Sequence, residues 1–187
     1  MTFIAMLLTG GQSRRMGFDK ATLTISGEPL WRRQLRVLSE LQPSAVWVSA
    51  RSTPSWCPTE IEVILDATPS RGPLSGLTAG LNRLQTSHLL LLAIDLPNIS
   101  VDHLRKLCSL ARAGCAVIPR TVEHFEPLCA IYPIEAAPVA REALASEDVS
   151  LQHLAETLAR QGRAEVYTVS DEERPLYHNI NRPSDLQ

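Results

Sequence analysis

Three glycines, two arginines and a lysine fall within one short stretch, Gly10-Gly11-Gln12-Ser13-Arg14-Arg15-Met16-Gly17-Phe18-Asp19-Lys20, directly after the apolar run Phe3-Ile4-Ala5-Met6-Leu7-Leu8. Glycine lets backbone N–H groups approach a ligand closely and tolerates positive φ. Successive N–H groups in such a turn form a concavity that binds anions. Arg15 and Lys20 add charges that pair with phosphate oxygens. The chemistry implied is recognition of a nucleoside triphosphate. Two better-known phosphate loops are excluded by spacing. A P-loop needs a lysine and a hydroxyl directly after its last glycine, whereas Gly17 is followed by Phe18-Asp19-Lys20-Ala21. A dinucleotide fingerprint needs G-x-G-x-x-G opening a helix, and here the first two glycines are adjacent.

Two carboxylates complete the set. Asp95 follows the apolar run from His88 to Ile94, and Asp66 follows Glu62-Val63-Ile64-Leu65. A carboxylate at the end of a fully buried strand costs free energy unless it is paired or bound to a cation. Mg²⁺ takes one or two carboxylates together with substrate phosphates, so Asp95 is the expected metal ligand, the alternative being a cap for the helix after Ser100 or a salt bridge within the loops. Lys20 and Arg15 are expected to neutralise charge on the phosphates and on departing pyrophosphate, because phosphoryl chemistry needs mainly positioning and charge stabilisation. Asp66 is either a nucleotide contact or a turn-initiating aspartate. Arg71 is either a contact to a phosphorylated second substrate or a loop charge in solvent. Asn179 and Asn181 flank Ile180 and face one side, toward a polar substrate or a turn of their own backbone. His124 and His178 lie in nearby segments, but no histidine spacing supports a catalytic triad.

The elements that must position these residues follow from periodicity. Strands are expected at Phe3–Leu8, weakly at Ala21–Ile25, and at Ala45–Ala50, Glu62–Leu65, His88–Ile94, Ala116–Ile118, Pro127–Tyr132 and Ala164–Val169. Between them, helical spacing appears over 29–41 with Pro29 as the first helical residue, and in Leu74, Leu77, Leu81 and Leu84. It recurs after Ser100, over 135–145, and after Ser150, where both serines read as N-caps. A last helical turn is expected beyond Pro183. Strands alternating with helices give an α/β fold with a largely parallel sheet. In such folds ligands bind beyond the carboxyl ends of the strands, where strand order reverses. The glycine loop, Asp66 and Asp95 all fall at such ends.

Composition narrows the class. The 187 residues fit one domain, 1–187. A formal net charge of -2 argues against a dedicated nucleic-acid binder. No basic leader opens the chain, and no apolar run approaches the ~20 residues of a membrane span, so a cytoplasmic location is expected. The four cysteines form no C-x-x-C and read as reduced thiols.

The stretch Leu8-Thr9-Gly10-Gly11-Gln12-Ser13-Arg14-Arg15-Met16-Gly17-Phe18-Asp19-Lys20 resembles the signature L-x-G-G-x-S-x-R-M-G-x-D-K of the molybdenum cofactor guanylyltransferase family of nucleotidyltransferases. The likeness continues through Gly27-Glu28-Pro29-Leu30, Asp66, Gly72-Pro73-Leu74-Ser75-Gly76-Leu77, Asp95-Leu96-Pro97, Pro127 to Tyr132 and Asn179-Ile180-Asn181-Arg182-Pro183. It implies a three-layer α/β/α Rossmann-like nucleotidyltransferase fold and Mg²⁺-dependent transfer of GMP from GTP to molybdopterin, with release of pyrophosphate. It implies that Leu8, Thr9, Gly10, Gly11, Lys20 and Asp66 bind the nucleotide and that Asp95 binds both nucleotide and Mg²⁺. Asn179 and Asn181 would border the pterin, and the finished cofactor would pass to molybdoenzymes or their chaperones. Thr9 stands where alanine is common, and Ser49 where some relatives carry an asparagine that contacts the nucleotide. Three rival readings remain at this point: a cytidylyltransferase acting on the same cofactor, a transferase acting on a sugar phosphate, and a nucleotide-binding delivery module without catalysis.

Overall fold

The computed structural model describes residues 2–9, 19–66 and 69–180. Gly10, Gly11, Arg15 and Asn181, and the turn expected beyond Pro183, lie outside the described residues. The chain order is β1 (Phe3–Leu8), β2 (Thr24–Ile25), β3 (Glu28–Pro29), α1 (Leu30–Ser39), β4 (Ala45–Ala50), β5 (Glu62–Leu65) and α2 (Pro73–Arg83). It continues with β6 (His88–Ala93), α3 (Val101–Ser109), β7 (Ala116–Arg120), β8 (Cys129–Pro133), α4 (Ala137–Ala145), α5 (Leu151–Arg160) and β9 (Ala164–Thr168). Among the described residues, seven strands form one sheet in the order β5-β4-β1-β6-β8-β7-β9. Only β8 runs against its neighbours.

Period-two alternation along the strands builds a layer on each face. Ile4, Met6 and Leu8 of β1, with Leu89 and Leu91 of β6, pack beneath α2, α4 and α5. Ala5 and Leu7, with Leu90 and Leu92, pack beneath α1 and α3. All six residues of β6 are buried, as a central strand covered on both faces requires. Ser100 and Ser150 do cap α3 and α5, each accepting a bond from the N–H three residues on. The cysteines are free thiols, with Cys115 and Cys129 buried.

The segment after the glycine loop departs from the strand expected there. Asp19 accepts a bond from the Ala21 N–H and caps a 3-10 turn, Lys20–Thr22. Only Thr24–Ile25 is extended, and it pairs with Glu28–Pro29 in a hairpin. Ser26 (φ 50°) and Gly27 (φ 83°) form its two-residue turn, both positive as a type I′ turn needs. Pro29 is therefore held in the hairpin at ψ 142° and stands just outside α1, which begins at Leu30. That helix stops at Ser39, and Gln42 then turns into the left-handed region. A further 3-10 turn, Arg174–Tyr177, precedes the final described residues.

The strand order places the site. From β1 the chain moves outward through β4 to β5, then returns across β1 to begin β6 on its other side. Order reverses at β1, and the carboxyl ends of β4, β1 and β6 lie abreast there, with Leu8 in register with both Ser49 and Ala93.

Candidate functional site

Asp95 is carried past the end of β6 on a turn tied to β1 and β8: the Ile94 N–H donates to Leu8 O at 3.0 Å and the Ala93 N–H to Leu128 O at 2.9 Å. Lys20 reaches the same point from the turn that follows the glycine loop. Its Nζ lies 3.9 Å from Asp95 Oδ2 and donates to the Ile180 carbonyl at 3.1 Å. The Ile180 N–H in turn donates to the Asp95 carbonyl at 2.9 Å. Segments 160 positions apart in the chain thus meet around one carboxylate, with Asn179 exposed beside them.

The electrostatics of Asp95 are unfinished. Burial pushes its carboxyl above the ordinary carboxylate range, and the Lys20 ammonium pulls the other way. Its Oδ1 is buried and has no hydrogen-bond partner among the described residues. A buried polar atom without a partner costs about 1–3 kcal/mol, so an orphaned oxygen in a native fold calls for an explanation such as an ion. No three His, Cys, Asp or Glu side chains converge among the described residues. The donor set therefore fits a hard cation that completes its shell with substrate oxygens and water, as Mg²⁺ does, better than an all-protein Zn²⁺ cage.

A second group lies on the other side of β1. Ser49 is fully buried, and its hydroxyl donates to Asp66 Oδ1 at 3.1 Å. Ser70 donates to Asp66 Oδ2 at 2.8 Å. The backbone carbonyl of Ser49 accepts both the N–H (3.0 Å) and the hydroxyl (2.8 Å) of Thr9. Gly76 in the first turns of α2 makes this arrangement possible. A Cβ there would collide with Ser49 Oγ and Leu8 Cδ1 and press on Asp66 Oδ1 at 3.2 Å.

Periodicity in the sequence reaches neither Ser70, which lies in a loop rich in breakers, nor the Ile180 carbonyl, since a backbone atom leaves no residue-type signal. Ser49, expected to matter as a replacement for a nucleotide-contacting asparagine, instead orients Asp66. Arg71 donates to the carbonyls of Leu144 and Ser146 at the end of α4. It ties the loop before α2 to that helix, a third arrangement beside the two expected for it.

The MobA-like NTP transferase domain family matches residues 5–164. A probable molybdenum cofactor guanylyltransferase of Opitutus terrae is 36% identical over 182 residues, covering 96% of this chain and 90% of that one. A molybdenum cofactor guanylyltransferase of Pseudomonas putida is 32% identical over 185 residues, covering 97% and 94%. The crystal structure of molybdopterin-guanine dinucleotide biosynthesis protein A from Archaeoglobus fulgidus superimposes with a TM-score of 0.75 at 27% identity, covering 98% of this chain and 94% of that one. The alternating α/β pattern, the site at the reversal of strand order and these likenesses agree: the chain belongs to the MobA-like NTP transferase family.

Proposed function

We propose that this chain is a molybdenum cofactor guanylyltransferase, a single nucleotidyltransferase domain acting in the cytoplasm on GTP and molybdopterin. The observation that carries the reading is the Lys20–Asp95 pair, 3.9 Å apart at the reversal point, with the second Asp95 oxygen unpartnered among the described residues. The two named relatives support the choice of substrates.

A phosphate oxygen of molybdopterin attacks the α-phosphorus of GTP. The bond from that phosphorus to the α,β-bridging oxygen breaks, and pyrophosphate leaves with the electron pair. Leu8, Thr9, Gly10 and Gly11 bind the nucleotide, and Asp66, held by Ser49 and Ser70, contacts it from the second wall. Lys20 and Arg15 neutralise the charge that develops on the phosphates, which is the main demand of such a reaction. Asn179 and Asn181 border the pterin. Asp95 would hold Mg²⁺, which when bound draws charge from the phosphate oxygens.

The test is pyrophosphate release with molybdopterin and GTP, CTP, ATP or UTP in turn. Release with GTP alone is expected, and a preference for CTP overturns the base assignment. Nucleotide binding without release favours a delivery module. Asp95→Asn keeps the shape and removes the charge, and is expected to lower kcat by about 10²–10³ with the fold intact. Wild-type turnover in that variant refutes the metal role.

A further inference from the structure

Thr9 and Asp19, the described residues on either side of the glycine loop, are both fastened to one stretch of chain. Before the loop, Thr9 is fastened to Ser49 of β4 by two bonds. After it, Asp19 is fastened to Trp56, seven residues beyond Ser49, whose indole N–H donates to Asp19 Oδ2 at 2.8 Å. The other oxygen of Asp19 accepts the Ala21 N–H at 3.0 Å and so caps the turn that begins with Lys20. Both carboxylate oxygens are thus in use.

Trp56 is itself clamped. It stacks on Trp31 of α1 with ring centroids 5.6 Å apart and planes at 19°. The Arg32 guanidinium lies 5.1 Å from the centre of the Trp31 ring. A stacked aromatic pair is worth about 0.5–1.5 kcal/mol beyond the area it buries, and α1 is fixed to the core through Leu30, Leu35, Val37 and Leu38. The rigid helix therefore holds Trp31, Trp31 holds Trp56, Trp56 holds Asp19, and Asp19 shapes the turn that presents Lys20 to Asp95 and the Ile180 carbonyl.

We propose that Trp56 is a positioning residue for Lys20, acting through its bond to Asp19, and that the Trp31–Trp56 stack is the strut behind it. The proposal rests on the nucleotidyl-transfer reading above and deepens it. Because Lys20 acts on charge that grows in the transition state, loosening the strut affects kcat more than KM for GTP. A residue that merely covers surface would change thermal stability and leave kcat alone.

The test is a double-mutant cycle. Trp56→Phe keeps a ring for the stack and removes the donor. Asp19→Asn keeps an acceptor for the Ala21 N–H and replaces the acceptor facing the indole with a second donor. Each single variant is expected to lower kcat about ten-fold, the lower range for a hydrogen bond to a charged partner, with KM for GTP within two-fold. The double variant is expected to be no worse than either single one, because both remove the same bond. Trp31→Phe, which preserves a stack, is expected to keep kcat within about three-fold. Independent, multiplying losses in the double variant, or unchanged kcat in Trp56→Phe, overturn the proposal while wild-type turnover leaves the parent reading standing. A wild type that releases no pyrophosphate from any nucleotide overturns the parent reading and the strut with it.

Discussion

Gly76→Ala separates the wall built on Asp66 from the general stability of the core, because α2 carries a second buried glycine to compare with it. Both Gly76 and Gly80 lie inside the helix, so alanine at either position gains about 1 kcal/mol of intrinsic helix preference. What the new methyl meets differs. At Gly80 it meets Met6 Sδ and Cε at 2.8 Å and Leu89 Cδ2 at 3.0 Å. The thioether end of Met6 is flexible and gives way, so the net change is within about 1 kcal/mol. At Gly76 it meets Leu8 Cδ1 at 2.5 Å and collides with Ser49 Oγ, whose rotamer is set by its bond to Asp66. Overpacking of this kind costs about 1–3 kcal/mol, which after the helical gain leaves a loss of about 0–2 kcal/mol. For a chain of this size that is a Tm lower by at most roughly 8 °C. The functional loss is expected to be larger than the loss of stability. Displacing Ser49 displaces Asp66 Oδ1, and a misplacement of about 1 Å at a binding group costs on the order of 10²-fold. Pyrophosphate release against GTP at fixed molybdopterin, with Tm by circular dichroism, measures both. Gly76→Ala should lose about 10²-fold in kcat/KM for GTP, and Gly80→Ala no more than about three-fold. Equal losses in the two variants, or a lowered Tm at Gly76→Ala with wild-type GTP kinetics, would refute the claim that Ser49 and Asp66 form a nucleotide wall.

Two further outcomes test other parts of the fold. Burial alone would raise the Glu173 carboxyl, but hydrogen bonds from Tyr167, Lys106 and the Ser170 N–H outweigh it and hold the group at about 2. A depressed folded value stabilises the protein above the ordinary range near 4.5, and that stabilisation is lost as pH falls toward 2. Glu173→Gln should therefore lower Tm at neutral pH and flatten its decline between those limits; parallel Tm curves refute this. Arg71→Ala removes the tie to the end of α4. As an exposed contact it should cost less than about 1 kcal/mol, with KM for both substrates unchanged. A ten-fold rise in either KM would return Arg71 to phosphate binding.

The parts of this fold legible in the sequence are those whose cause is local. Phe3–Leu8 and Leu89–Ala93 read as strands because a strand covered on both faces is apolar at nearly every position. Asp95 stands out for the complementary reason, a charge placed where that apolar run ends. In the segment Ala21–Ile25, Ala21, Leu23 and Ile25 alternate as a strand would, while the deciding interaction is the Asp19 side chain capping the turn Lys20–Thr22. Periodicity registers only which face a residue shows; it is silent on a carboxylate accepting a bond two residues away. The anchors of Lys20 and Trp56 leave no sequence signal for another reason. Their partners lie 160 and 37 positions distant, and one of them is a backbone carbonyl that any residue could supply.

Ser49 stands where the family resemblance leads one to expect a nucleotide-contacting asparagine, and the structure gives it a different role. An asparagine at this place extends an amide from the end of β4; a serine is shorter, and here it is fully buried with its hydroxyl given to Asp66. A group with no exposed surface and its donor already committed does not read a base. We expect base discrimination to fall to other groups of the proposed nucleotide site, Asp66 among them. Its two oxygens accept from Ser49 and Ser70, and each carboxylate oxygen has a second lone pair. Those lone pairs suit ribose hydroxyls or the N–H edge of guanine, the one nucleobase that offers adjacent ring and exocyclic N–H donors. Replacing Ser49 by alanine would free Asp66 to turn, so the variant should relax preference among nucleotides before it abolishes binding, and a uniform loss with GTP and CTP would show that the serine supports the wall without contributing to selectivity.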